Sequence, residues 1–167
     1  MSKRSAAGVG SDEMKILLVC LGNICRSPMA EAVLRRMLEV NGLAASTSVD
    51  SAGTHDFNVG LPPDARARRA ALTRGYDLAG ILARRVEPRD FERFDMILAM
   101  DRGNLAALRA SCPTPHRHKL ALLLDYAGGL DADEVPDPYG GSQESFERVL
   151  DLIEDAARGL IEALRQT

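Results

Sequence analysis

Tryptophan is absent and aromatic residues make up only 4% of the 167-residue sequence, so a platform of stacked rings for single-stranded nucleic acid is not expected. An excess of cations is missing too. Twenty-four acidic against 21 basic side chains leave a net charge of −3, which excludes binding of nucleic acid by bulk charge but not a local cationic pocket. No apolar run approaches the roughly 18–20 residues of a membrane span. The opening MSKRSAAGVGSDEMK lacks the apolar stretch of a secretory signal. Cysteine is sparse and odd in number, with three in all. That excludes a disulfide framework and favours a reduced, cytoplasmic thiol protein. Internal repeats and long linkers are also missing.

What is present suits one ordinary domain: 46% hydrophobic and 27% charged residues in a chain of domain length. Residues 1–13 are small and polar and read as a disordered tail. The domain is expected over 14–167. Lys15 to Cys20 is a short continuous apolar run, as in a strand buried on both faces of a parallel sheet. A Gly- and Asn-containing turn follows, with Ser27 as the expected N-cap and Pro28 at the first helical position. Met29, Val33, Leu34, Met37 and Leu38 recur at helical spacing up to Asn41-Gly42. Further strands are expected at 47–50, 95–100 and 118–123. Helices are expected from Pro62 to Gly75, 89–94, 101–110 and 142–164, the last carrying an apolar stripe from Phe146 to Leu164. Short strands alternating with helices define an α/β domain. The expected architecture is a flavodoxin-like, doubly wound, four-stranded parallel sheet with helices on both faces. Such sheets bind ligands beyond the carboxyl ends of their strands, where the loop after the first strand lies.

That loop carries the chemistry. Cys20 ends the strand and Arg26 follows six positions later, with Gly22 and Asn23 between and Ser27-Pro28 after. The spacing alone is weak. Between a buried strand and a helix start it is strong, because the backbone N–H groups of a tight loop can point inward as an anion nest. The helix N-terminus adds free N–H groups and the positive end of its dipole. The same field favours a thiolate at Cys20. Arg26 offers a planar fork to two phosphate oxygens. Asn23 tolerates a left-handed backbone, and the Ser27 hydroxyl can donate to the Cys20 sulfur. A lone Cys at a strand end is more often a small buried hydrophobe; the nest, the cation and the proline together outweigh that reading.

The run from Val19 to Ala32, VCLGNICRSPMAEA, resembles the phosphate loop of low-molecular-weight protein tyrosine phosphatases. Asp50 to Thr54, Phe94-Asp95 to Met100-Asp101, and Asp137-Pro138-Tyr139 resemble later motifs of that family in the same order. The resemblance implies a metal-free, cofactor-free hydrolysis of phosphotyrosine. In it Cys20 is the nucleophile, Arg26 binds phosphate and Asp137 is the general acid and then the base. Leu21, Gly22, Asn23, Ile24, Cys25 and Ser27 complete the loop. It implies further that Ser51 hydrogen-bonds Asn23, and that Phe57 and Tyr139 wall an aryl slot beside Leu21. Cys25 matches a second loop cysteine able to form a reversible disulfide with Cys20. The implied partner is a phosphotyrosine protein, such as an autophosphorylating tyrosine kinase of a bacterium. A monomer is expected, and the Arg- and Ala-rich composition points to a GC-rich bacterial genome. Two positions depart from the pattern: Ile81 stands where many relatives carry a His that supports the loop, and Gly140 where many carry a second aromatic.

Three other functions compete. Arsenate reductases share the fold but relay a disulfide through two further cysteines, and here only Cys112 lies outside the loop. Phosphoarginine phosphatases carry Thr in place of Ile24. A phosphopeptide-binding module would need neither Cys20 nor Asp137. Cys112 with His116 and His118 is not a convincing zinc set.

Overall fold

The computed structural model describes residues 13–167. All but the last residue of the expected tail lies outside them. The elements run β1 (Met14–Cys20), α1 (Arg26–Val40), β2 (Thr47–Gly53), α2 (Ala65–Thr73), α3 (Asp90–Arg93), β3 (Met96–Ala99), α4 (Arg102–Ser111), β4 (Leu120–Leu122) and α5 (Gln143–Arg165). Single 3-10 turns flank β4 at Thr114–Lys119 and Leu123–Tyr126. The four strands are parallel in the order β2-β1-β3-β4. Strand order reverses between β1 and β3, which is the switch point of a doubly wound sheet.

Strand β1 has no exposed face. Ile16, Leu18 and Cys20 belong to one apolar cluster, filled by Met29, Val33 and Leu34 of α1 and Phe146, Val149, Leu150 and Ile153 of α5. Leu17 and Val19 point into a second cluster with Phe91, Phe94, Leu105 and Leu108 from the segments of α3 and α4. This explains the unbroken apolar run in the sequence: alternate side chains face opposite layers, and both layers are covered. Strand β2 is longer than expected. Ser51, Ala52 and Gly53 continue its pairing with β1, as Leu18↔Ser51, Val19↔Ala52 and Cys20↔Gly53. Strands β3 and β4 are shorter than expected by the residues that leave the ladder for the loops. Helix α2 is held against α5 by Arg74, whose guanidinium meets Glu147, Asp151 and Glu154 at 2.7–2.9 Å.

The carboxyl ends of the strands deliver one cluster of loops. Thr54 N–H donates to the Cys20 carbonyl and Met100 N–H to Val19, while Val135 N–H reaches the Met100 carbonyl. Gly53 matters here because of what lies against it. A Cβ at that position would sit 2.8 Å from the Leu21 carbonyl oxygen and 3.1 Å from the Gly22 carbonyl carbon. Strand β2 can approach the β1–α1 loop this closely only without a side chain. Gly53→Ala is therefore expected to leave the sheet folded but displace that loop, costing about 1–3 kcal/mol in urea denaturation and weakening binding of inorganic phosphate measured by calorimetry.

Candidate functional site

Helix α1 begins at Arg26 with no side-chain cap. The expected capping role of Ser27 is not observed, because its hydroxyl is committed elsewhere. Ser27 Oγ lies 3.0 Å from Cys20 Sγ and accepts from Asn23 Nδ2 at 2.8 Å. Pro28 still sits in the first turn, where its missing N–H costs nothing. The backbone N–H groups of Leu21, Gly22, Ile24, Cys25 and Arg26 donate to no acceptor among the described residues. Asn23 N–H is the exception and points at Cys20 Sγ from 3.3 Å. A loop of free N–H donors surrounding a buried sulfur at a helix N-terminus is an anion site built from main chain.

Asn23 shapes that loop. It is the one non-glycine residue with positive φ among those described, at 59°, and is buried. The side-chain oxygen accepts from Arg84 N–H at 3.0 Å. A backbone N–H only donates, so the amide orientation is fixed and Nδ2 faces Ser27 and Ser51, at 2.8 and 3.0 Å. Ser51 Oγ in turn donates to Glu31 Oε1 at 2.6 Å. The chain of donors is thus polarised. Ser51 gives its proton to Glu31, Asn23 gives both of its protons to hydroxyls, and the Ser27 hydroxyl is left with two acceptors for its own proton, Cys20 Sγ at 3.0 Å and the Ala52 carbonyl at 3.4 Å.

Glu31 did not stand out in the sequence, where it reads as an ordinary helix residue. Burial pushes its carboxyl above the usual glutamate range, while the Ser51 hydroxyl and the ion pair to Arg35 at 2.6 Å pull the other way. Burial likewise pushes the Cys25 thiol up to about 12, with the Asp64, Cys20 and Asp137 charges adding to it.

Arg26 is buried, and both of its hydrogen bonds leave from Nη1, to Asp101 Oδ2 at 2.7 Å and to the Val135 carbonyl at 2.9 Å. Asp101 is also the cap of α4, accepting from Asn104 N–H. Arg26 Nη2 stands 3.9 Å from Asp137 Oδ2. The segment bearing Asp137 is therefore anchored at Val135 to both β3 and Arg26. Beyond Asp137 the chain turns twice. Tyr139 N–H donates to Asp137 Oδ1 at 3.1 Å, and Gly141 N–H to the Pro138 carbonyl at 2.8 Å. Gly140 has φ of +79°, which explains why no second aromatic stands there: this turn needs the left-handed region at its third residue.

Arg66 was also not singled out in the sequence. Its guanidinium lies over the rings of Tyr139 (5.8 Å) and Phe146 (5.3 Å) and donates to the Gly141 carbonyl at 3.3 Å. It pairs with Asp64, whose own N–H donates to the Ile24 carbonyl in the phosphate-loop segment. One side chain thus braces the Asp137 segment against the loop that holds Cys20.

These parts enclose a cleft of about 260 Å³ lined by Cys20, Leu21, Gly22, Ile24, Cys25, Arg26, Phe57, Asn58, Asp137 and Tyr139. Phe57 and Tyr139 are largely exposed at its mouth, and Phe57 stacks on His55 with ring centroids 4.6 Å apart. Ser51 and Ser27 lie behind the cleft. Ile81 packs against the larger apolar cluster, and the Asn23 network closes through Arg84 N–H without an imidazole. Cys112 is buried in the second cluster rather than placed in an open loop, and all three cysteines are free thiols. No group of metal-ligating side chains occurs among the described residues.

Residues 15–167 match the sequence model of the family described as low molecular weight phosphotyrosine protein phosphatase. The chain belongs to that family. A low molecular weight protein-tyrosine-phosphatase of Streptomyces coelicolor is 43% identical over 157 residues, covering 91% of this chain and 94% of that protein. The crystal structure of a protein tyrosine phosphatase from Entamoeba histolytica, with Hepes in its active site, superposes with a TM-score of 0.90 at 41% identity, covering 92% of this chain and 98% of the other. Vibrio vulnificus Wzb in complex with benzylphosphonate gives a TM-score of 0.79 at 31% identity, with 90% and 98% covered. The phosphatase fold expected from the sequence is thus the fold observed.

Arg66→Met keeps an apolar stem but removes the charge and the donor. Amide exchange at Tyr139 and Gly141 is expected to rise by about tenfold, from the loss of one hydrogen bond and a cation–π contact; unchanged exchange would remove Arg66 as the brace. Glu31 binds its proton more tightly folded than unfolded, so it subtracts stability as pH rises out of the glutamate range. Denaturation across pH 4–8 is expected to show Glu31→Gln gaining on the native protein as pH increases. A constant difference would show that Glu31 is not desolvated.

Proposed function

We propose that the protein hydrolyses phosphotyrosine, an aryl phosphate monoester, in a protein substrate through a phosphocysteine intermediate. The observation that carries this is the ring of unpaired backbone N–H groups around the buried Cys20 sulfur at the open start of α1. Cys20 Sγ attacks phosphorus while the bond to the phenolic oxygen breaks. Asp137 gives its proton to the leaving phenolate. Water then attacks the phosphocysteine and loses a proton to Asp137, and the sulfur departs as thiolate. The loop N–H groups and the free edge of Arg26 hold the equatorial oxygens throughout, where charge is greatest in the transition state. Ser27, whose hydroxyl lies 3.0 Å from the sulfur, donates to the thiolate as attacker and as leaving group.

Leu21, Phe57 and Tyr139 give the cleft apolar walls, which favour a phenyl ring over a short alkyl phosphate. Binding of benzylphosphonate by the Vibrio relative supports the same pairing of ring and phosphoryl group. Each role in this mechanism is filled by a side chain or main-chain group, so no metal or cofactor is required. The family resemblance makes Cys25 the resolving thiol, whose condensation with a Cys20 sulfenic acid would give a disulfide and water; the burial that pushes its thiol up to about 12 disfavours the thiolate this step needs and makes it slow. Cys112, on the other face of the sheet, is not placed for the longer relay of an arsenate reductase. The biological reading that fits best is a monomeric cytoplasmic enzyme of a bacterium acting on a phosphotyrosine protein such as an autophosphorylating kinase.

Turnover of p-nitrophenyl phosphate in chelator-treated, reducing buffer is expected for the native protein and not for Cys20→Ser. Inactive reduced protein, or activity that chelation abolishes, would overturn the mechanism. Asp137→Asn is expected to slow phenyl phosphate by about 100-fold or more, but p-nitrophenyl phosphate far less, since nitrophenolate leaves without a proton. Equal losses on the two would remove Asp137 as the acid.

A further inference from the structure

Nine large apolar side chains stand exposed among the described residues, and six of them, Leu21, Phe57, Val59, Leu61, Leu82 and Tyr139, lie on the segments that form the cleft or adjoin it. Scattered exposed apolar residues need no explanation, but a group gathered at one mouth does. Leu21, Phe57 and Tyr139 line the cleft itself. Val59, Leu61 and Leu82 do not, and nothing in the chemistry uses them. They are 56%, 51% and 60% exposed.

These three are held on a fixed support. Gly60 N–H donates to the Ala83 carbonyl and Ala83 N–H to the Leu61 carbonyl, both at 2.9 Å, which ties the segment of Val59 and Leu61 to that of Leu82. Asn58 Nδ2 donates to the Gly22 carbonyl, and Arg84 N–H to Asn23, so both segments are fastened to the phosphate loop. Of the arginines that follow Leu82, Arg84 is paired with Asp50 and Asp90 at 3.0–3.1 Å, and the exposed Arg85 faces Asp56 across 3.8 Å. The ledge therefore offers apolar surface and little attraction for an acidic chain.

What covers such a ledge follows from the tether. A phosphotyrosine seated in the cleft continues into peptide on both sides, and consecutive Cα atoms are only about 3.8 Å apart. Residues one to three positions from the phosphotyrosine must cross the rim. We propose that Val59, Leu61 and Leu82 are a docking ledge for an apolar side chain flanking the phosphotyrosine, so that the enzyme selects substrates by an apolar neighbour rather than an acidic one. This rests on the phosphatase reading of the cleft and adds the class of sequence it accepts.

The test uses three phosphotyrosyl peptides that differ only in the three residues on each side of the phosphotyrosine: valine and leucine, serine, or glutamate. Phosphate release is measured for each, with p-nitrophenyl phosphate as the substrate that has no flanks. The expected kcat/KM for the apolar peptide exceeds that for the serine peptide by about tenfold, with the glutamate peptide no better than serine. In Leu61→Ser/Leu82→Ser the ratio is expected to fall to near one, mainly through KM, while turnover of p-nitrophenyl phosphate is unchanged. Val59→Thr, a surface change of almost no volume, is expected to lower the ratio in part and provides the same test should the double variant fold poorly. Native protein with no preference, or variants that keep it, would overturn the ledge. Turnover of p-nitrophenyl phosphate with no release from any peptide would instead overturn the phosphotyrosine reading on which the ledge rests. If sedimentation shows a native dimer that the double variant dissolves while the peptide ratio persists, the ledge belongs to a second copy of the chain and the proposal falls.

Discussion

The site depends on a loop whose backbone N–H groups make almost no hydrogen bonds, although most of its carbonyls are paired. Between Cys20 and Arg26 the main chain leaves its N–H groups without acceptors, save Asn23 N–H on Cys20 Sγ, and a loop so arranged must be held from outside. Asn23 does this with one amide, which meets the backbone of Arg84 on one side and two serine hydroxyls on the other. Its left-handed φ costs little for asparagine and would cost more for a branched residue. The order then propagates outward. Ser51 is held by Glu31, Gly53 lets β2 close against the loop, and Ser27 is held within 3.0 Å of the sulfur. Polar groups buried this deeply act as a unit, each satisfied by the next.

A second constraint fixes the distance between the loop and the segment of Asp137. Arg26 is tied through one nitrogen to Asp101 and to the Val135 carbonyl, so the residue proposed to hold the phosphoryl group also anchors the chain that brings the acid. Arg66 holds the far side of the same segment through Gly141 and Tyr139. Between these anchors Asp137 is about half exposed and touches Arg26 only at 3.9 Å. For the proposed role of giving and then taking a proton, a carboxyl is better placed so than locked into a close ion pair.

Much of this was legible in the sequence for physical reasons. The apolar run of β1 reads as a doubly covered strand because both of its faces are covered. The phosphate loop reads from cysteine, glycine, asparagine, arginine and proline because each meets a backbone or charge demand that few other residues can. Less legible were residues whose role depends on a distant partner. Glu31, Arg66 and Asp101 sit in ordinary helical or capping contexts, and nothing local shows that Ser51, Tyr139 and Arg26 are their partners. Ser27 was half legible: the expected contact of its hydroxyl with Cys20 forms, but the cap its local pattern suggests does not, since the same oxygen also accepts from Asn23. Gly140 reads as a departure in alignment and as a requirement in the turn.

The uncapped start of α1 has a consequence for how the enzyme meets its ligand. In most helices the terminal N–H groups are closed by a serine, threonine or aspartate from the same chain. On the proposed mechanism the oxygens of a bound phosphoryl group would take that place. The substrate would then complete the helix, and the first turn of α1 and the bound oxyanion would become one cooperative structure. Inorganic phosphate carries the same oxygens, so the product satisfies the helix as the substrate did. The feature that admits the reactant therefore also sets how readily the last product leaves.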